Sequence, residues 1–280
     1  MRTLTTLIDG LHFPEGPRWH DGRLYFSDMH GDKVIAVGLD GRTSVVCEVP
    51  HWPSGLGWLP DGRMLVVSMT DRKLMRLDRD GLKVHADLSA LAPFHCNDMV
   101  VDGKGRAYVG NFGFDHVAQQ APRATVLVMV TPDGVARAVA ADLFFPNGVV
   151  ITPDGRTLII AESFARRLTA FDIEPDGSLA NRRLWADLGG RIPDGIALDA
   201  EGAVWVACPT RSEVVRVRQG GEVAETIKVA TDAFACMLGG PQRKTLFVLT
   251  AATSEPERCR VETTGRIEFA QVDVPGAGWP

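Results

Sequence analysis

Six times along the chain a short strand-like run is followed by an Asp-Gly-type turn and then a second strand, and this repetition leaves few folds open. The copies read FPEGPRWHDGRLYFSD, WPSGLGWLPDGRMLVVSM, CNDMVVDGKGRAYVGN, FPNGVVITPDGRTLIIAES, IPDGIALDAEGAVWVAC and ACMLGGPQRKTLFVLTA. About eight residues before each turn lies one equivalent position, held in order by Glu15, Ser54, Asn97, Asn147, Asp194 and Cys236. Successive members stand 39, 43, 50, 47 and 42 residues apart, close to the length of one four-stranded propeller blade. After each turn comes an apolar, β-favouring run (LYFS, MLVVS, AYVG, TLIIA, VWVA, TLFVL), the pattern of a well-buried strand. Stretches such as KVIAVGL, KLMRLDR and RLTAFDIEP read as outer strands, and no sustained 3.6-residue amphipathic pattern interrupts the series. The expected fold is all-β, a six-bladed β-propeller.

An array of sheets must dispose of its edges, and closure into a ring does so. The segment Thr3–Ile8 precedes the first copy without a partner of its own. It is expected to pair with the blade that contains Thr245–Thr250 and Arg266–Val274, locking the two ends of the chain together. No Pro/Gly/Ser-rich linker breaks the series, so residues 1–280 are expected to form a single domain. The longest interval between copies holds the irregular stretch Asn111–Ala124, suited to a loop at the mouth of the ring.

Copies of one unit around an axis carry equivalent residues to equivalent depths. Two carboxylates (Glu15, Asp194) and two carboxamides (Asn97, Asn147) are therefore expected to meet, although far apart in sequence. An oxygen-only set favours a hard cation, Ca²⁺ first, with Mg²⁺ or Mn²⁺ as alternatives. Availability can still put Zn²⁺ or Fe²⁺ in such a site. Each ligand also has a plain alternative when taken alone: Glu15 as a solvated carboxylate, Asn147-Gly148 and Asp194-Gly195 as ordinary turns, Asn97 as a strand end. The returning strands finish at the same mouth, so Ser27–Asp28, Ser68–Met69, Gly110–Asn111, Glu162–Ser163, Ala207–Cys208 and Leu249–Thr250 are expected in or behind the pocket wall. Glu162 is the charged member, read either as orienting a ligand or as a surface carboxylate.

The net charge of −5 and the lack of a Lys/Arg stripe argue against nucleic acid as a partner. No run approaches the roughly 18 apolar residues of a membrane span, and MRTLTTLIDGLHF is a poor secretory signal. Five scattered cysteines without a CxxC pair suit free thiols in a reducing compartment, so a cytoplasmic location and a small-molecule substrate are expected. Sequence leaves the oligomeric state open.

The motifs FPEGPRW at Phe13–Trp19, ND at Asn97–Asp98, FPNGVVITPDG at Phe145–Gly155 and PDGIALD at Pro193–Asp199 resemble the senescence-marker-protein/gluconolactonase/luciferin-regenerating-enzyme family. GGPQRKTLFVLTA at Gly239–Ala251 resembles that family's last repeat. The resemblance spans essentially the whole chain. It implies a propeller with one divalent cation in the central channel, ligated by Glu15, Asn147 and Asp194, with Asn97 as fourth ligand or substrate contact. Sugar-lactonase members carry an Arg two residues before the Asn of the ND motif, where this chain has His95, which cannot reproduce a guanidinium fork. The expected activity is that of a metal-dependent lactonase acting on a sugar or non-sugar lactone. Asp194 is the first candidate for general base and Asp98 the second, with His95, Phe112 and Phe114 beside the substrate. Phosphotriester hydrolysis on the same site, or calcium binding without catalysis, are the alternatives.

Overall fold

The computed structural model describes residues 2–278. Met1, Trp279 and Pro280, which the 1–280 domain reading includes, lie outside the described residues. Each of the six copies opens a four-stranded antiparallel sheet, and the six sheets form a six-bladed β-propeller. The inner strands are Pro14–His20, Pro53–Trp58, Cys96–Val101, Pro146–Ile151, Ile196–Leu198 and Asp232–Gly239. Each inner strand contacts the next around the ring, and the sixth contacts the first.

The apolar runs after the turns form the second strand of each blade, such as Met64–Ser68, buried at every position. They are apolar on both faces because each blade is sandwiched between two others, which removes the usual alternation. Leu65, Val66 and Val67 are each 0% exposed, and Trp205 is the largest fully buried side chain. The turn in the fourth blade shows why glycine recurs there: Gly155 has φ +69°, a left-handed conformation that a side chain disfavours.

Two expectations need correction. The stretches read as outer strands, including Lys33–Val37, Lys73–Asp78 and Arg167–Ile173, are third strands. The outermost strands are Thr43–Glu48, Gly81–Asp87, Ala136–Leu143, Leu179–Asp187 and Val223–Lys228, and for the sixth blade the N-terminal strand. With one face in solvent they carry little apolar signal; Thr43–Glu48 has no fully buried residue. A seven-residue helix, Pro256–Glu262, also interrupts the last blade. At two turns it is too short to print an amphipathic period, although Pro256 at its first turn is a start signal.

Closure joins the chain ends. The strand Thr5–Leu11 pairs antiparallel with Gly265–Gln271, from Thr5 opposite Phe269 to Leu11 opposite Gly265. The C-terminal segment then crosses the far end of the ring. There Asp199 bridges Gly276, and the Ala277 N–H donates to the Leu198 carbonyl. No helix among the described residues is long and apolar enough to cross a membrane.

Candidate functional site

The opposite end of the channel, where the inner strands begin, carries a cavity of about 340 Å³. Its floor is formed by Glu15, Asn97, Asn147 and Asp194, brought together from blades one, three, four and five. What holds these residues at one depth is the position after each. A Cβ on Gly16 would lie 2.5 Å from the Ser54 carbonyl oxygen, and one on Gly55 2.4 Å from the Met99 nitrogen. On Gly148 it would lie 2.6 Å from the Asp194 oxygen, and on Gly195 2.7 Å from the Ala235 Cα. Asn147-Gly148 and Asp194-Gly195 are therefore not turns; the glycines let neighbouring inner strands touch backbone to backbone. The contacts join 16 to 55, 55 to 98, 148 to 195 and 195 to 235, which sets these as equivalent positions around the ring.

That ring corrects the sixth register. The residue before Ala235 is Phe234, which lines the cavity, whereas Cys236 lies between blades with its Sγ near the Gly195 and Trp205 carbonyls. In the sixth copy PQRK stands where the others have an Asp-Gly-type turn, and counting back from it lands two residues too late. Ser54 occupies its register but is buried outside the wall, and its carbonyl accepts a 2.6 Å bond from Ser27 Oγ.

Both carboxamides are oriented by bonds that leave their oxygens available to the cavity. Asn97 Nδ2 donates to the Pro146 carbonyl at 3.5 Å. Asn147 Nδ2 donates to Ser163 Oγ at 3.3 Å, and that hydroxyl donates to the Pro193 carbonyl at 2.7 Å. Burial, then the Asp194 charge, pushes the Glu15 carboxyl well above its ordinary range. Burial pushes Asp194 up to about 8, with a hydrogen bond from Asn147 acting against the rise and the Asp98 charge adding to it. Two carboxylates thus share a floor without a cationic side chain in contact. The one nearby guanidinium, Arg18, is committed to Asp98 at 2.8 Å and to the Met99 carbonyl. Among the described residues no group of three or more His, Cys, Asp or Glu side chains converges. The floor is an all-oxygen set with two formal negative charges, and it fits a hard divalent cation.

The remaining expected residues fall in different places. Asp98 stands in the glycine ring rather than on the floor, and its carboxylate accepts from Arg18 and from the Met99 N–H. His95 and Phe112 are in the cavity wall. Phe114 is 2% exposed behind it, edge-on to Phe164 at 5.0 Å. Asp115, His116 and Val117 bring the Asn111–Ala124 loop to the rim. Glu162 is neither a surface carboxylate nor a ligand-orienting group. It is 0% exposed and pairs with Arg167 at 2.9 Å and Arg182 at 3.2 Å. Burial alone would raise its pKa, but bonds from Arg167, Thr169 and the Phe144 N–H carry it below the ordinary value. Its neighbour Ser163 supports Asn147 instead.

Sequence reasoning placed His95 beside the substrate but missed Phe13 and Trp52 in the same layer. Two residues ahead of the floor positions stand Phe13, Trp52, His95 and Phe145, all in the cavity wall. For three of the four the signal was present as FPEG, WPSG and FPNG, an aromatic residue before the Pro that starts the inner strand. Trp52 and Phe145 have φ of 60° and 58°, a left-handed conformation unusual for any residue and more so before Pro. His30, Phe234 and Pro256 complete the wall from other elements.

The six-bladed ring thus carries, at one end of its channel, an oxygen floor under an aromatic mouth. The chain belongs to the family described as SMP-30/Gluconolactonase/LRE-like region, whose profile matches residues 13–252. It is 27% identical over 254 residues to Regucalcin of Danio rerio, covering 85% of this chain and 82% of that one. It is 26% identical over 268 residues to Pentonolactonase XacC of Haloferax volcanii, covering 89% and 85%. Among solved structures it is similar in fold to a calcium-binding protein, regucalcin, from Agrobacterium tumefaciens. That match has TM-score 0.83 and 22% identity, over 100% of this chain and 97% of that one.

Proposed function

We propose that this protein is a lactone hydrolase that depends on a divalent cation held by Glu15, Asn97, Asn147 and Asp194. The observation that supports it is the meeting of four donor oxygens, two of them anionic, on the floor of one cavity. The chain's family includes relatives named for lactone hydrolysis. Bound there, the cation would supply Lewis acidity and charge neutralisation for an acyl transfer to water. Asp194 takes the proton of the attacking water at its carboxylate. Water adds to the acyl carbon, the ring C–O bond breaks, and the proton passes to the departing alkoxide, giving an open hydroxy acid. Asn97 orients the ring ester beside Asp194. Asp98 is the poorer base, because its carboxylate already accepts two hydrogen bonds.

Asp194→Ala tests the assignment. With each divalent cation restored in turn after chelation, the variant should melt as a folded protein and lose at least about 10³-fold in kcat on every lactone the native protein opens. Full activity in a folded variant would sink the assignment. Calcium binding without catalysis has one observation in its favour, the description of the Agrobacterium relative as a calcium-binding protein. It predicts cation binding by calorimetry with no turnover on lactones or on a phosphotriester.

A further inference from the structure

We propose that the substrate is a lactone bearing an aryl or alkyl substituent, held with that substituent against the aromatic collar and its ester over the oxygen floor. The inference rests on the lactone-hydrolase reading of the same site and names the substrate class within it.

Repetition builds the collar as it builds the floor. Phe13, Trp52, His95 and Phe145 stand two residues ahead of Glu15, Ser54, Asn97 and Asn147, so four blades each raise a ring above the floor level. Their neighbours close the gaps. Phe234 meets Phe13 at 4.7 Å between centroids, Phe13 meets His30 at 5.3 Å, and His30 meets Trp52 at 4.8 Å. The arc continues from Trp52 to His95 at 5.8 Å, to Phe112 at 6.0 Å, and to Phe145 at 4.2 Å. It stays open on the side of Asp194.

The wall offers little to a polyhydroxylated ring. Among the described residues no Lys or Arg lines it, and above the floor its polar side chains are three imidazoles, Asp115 at the rim and Ser254. Its imidazoles are packed against other rings: His95 stacks on Phe94 at 4.0 Å, and His116 stands edge-on to Phe112 at 5.1 Å. The floor oxygens are acceptors that would hold the cation, so hydroxyls on the far side of a sugar ring would face mostly aromatic carbon. Each hydroxyl desolvated without a partner lowers affinity by a factor of about ten to a hundred. Each methylene buried against the collar raises it about fourfold. A cavity of about 340 Å³ has room for one ring and a short substituent.

The test compares kcat/KM of the full-length protein, with divalent cation supplied, on three sets: glucono-δ-lactone and a pentonolactone; γ-butyrolactone, γ-hexalactone and γ-nonalactone; and dihydrocoumarin. Rates should climb along the alkyl series by two- to fourfold per methylene over the first few. The substituted lactones should exceed the sugar lactones by about a hundredfold or more. Phe112→Ala should shrink the γ-nonalactone to γ-butyrolactone ratio at least about tenfold, mainly through KM. Phe112→Leu should retain more of the alkyl preference than of the aryl preference, which separates lost stacking from misfolding. Sugar lactones turned over as well as the substituted ones would overturn this inference and leave the hydrolase reading standing. No turnover of any lactone with any cation would overturn both.

Discussion

Gly148→Ala adds one methyl group where two blades meet beneath the floor, and its consequence can be worked from distances. The new Cβ would lie 2.6 Å from the Asp194 oxygen, 2.6 Å from the Ile196 nitrogen and 2.8 Å from the Gly195 Cα. All three are backbone atoms, so no side chain can swing away. Ordinary contact begins near 3.4 Å, and the inner strands of blades four and five must separate by several tenths of an ångström. The 3.3 Å bond from the Gly148 N–H to the Asp194 carbonyl stretches with them. Overpacking of this kind costs about 1–3 kcal/mol. Ala in place of Gly also stiffens the unfolded chain, a stabilisation of about 0.4–1 kcal/mol, so the clash wins. Asn147 and Asp194 sit on the two strands being parted, and cation affinity should fall about tenfold or more, as it does when ligand-supporting contacts are lost. Urea unfolding would read the stability and calorimetry the affinity. Gly155→Ala, at a turn with nothing within 4 Å of the added Cβ, serves as the control and should leave affinity unchanged. Native stability and native affinity in Gly148→Ala would refute the claim that this glycine exists for close approach.

Arg18→Met should lower Tm by about 5–10 °C, since it strands the buried Asp98 carboxylate without its 2.8 Å partner. Adding Asp98→Asn should recover part of the loss, and an unchanged melt in the single variant would contradict the pairing. Chelated protein should lose stability as pH rises from about 5 toward 8. Raised pKa values make the fold bind more protons than the unfolded chain in that window, and each such carboxyl contributes a slope of up to about 1.4 kcal/mol per pH unit. Saturating cation should flatten this slope, so equal slopes in thermal melts with and without cation would count against a shared site for Glu15 and Asp194. Deleting residues 2–11 uncovers the edge of Gly265–Gln271, and the product should aggregate or sediment as oligomers, whereas a stable monomer would show that closure is dispensable.

The floor was legible in the sequence because its four donors recur at a fixed distance before a turn, and equivalence within a repeat translates directly into equivalent depth. Glu15, Asn97, Asn147 and Asp194 needed no knowledge of how one blade touches the next. The pairing of the N-terminal strand with the last blade was legible for a similar reason, an apolar segment without a partner at one end of an open array. Other features depend on contacts between strands, within a blade or between blades. Phe234 replaces Cys236 in the sixth register because contact with Gly195, not distance from the turn, sets the equivalence. Glu162 is paired with Arg167 on the next strand and Arg182 on the outermost strand of its own blade. Asp98 is paired because Arg18 reaches across from blade one. Three collar residues, Phe13, Trp52 and Phe145, lay in plain view before a Pro, yet only the ring shows that their side chains border one cavity.

The sequence by itself determined the number of blades, the way the ring closes and the oxygens on the floor, because each is a property of the repeating unit. The tertiary structure decided which charges are already satisfied and what surrounds the floor, because those depend on distances between units that share no local sequence.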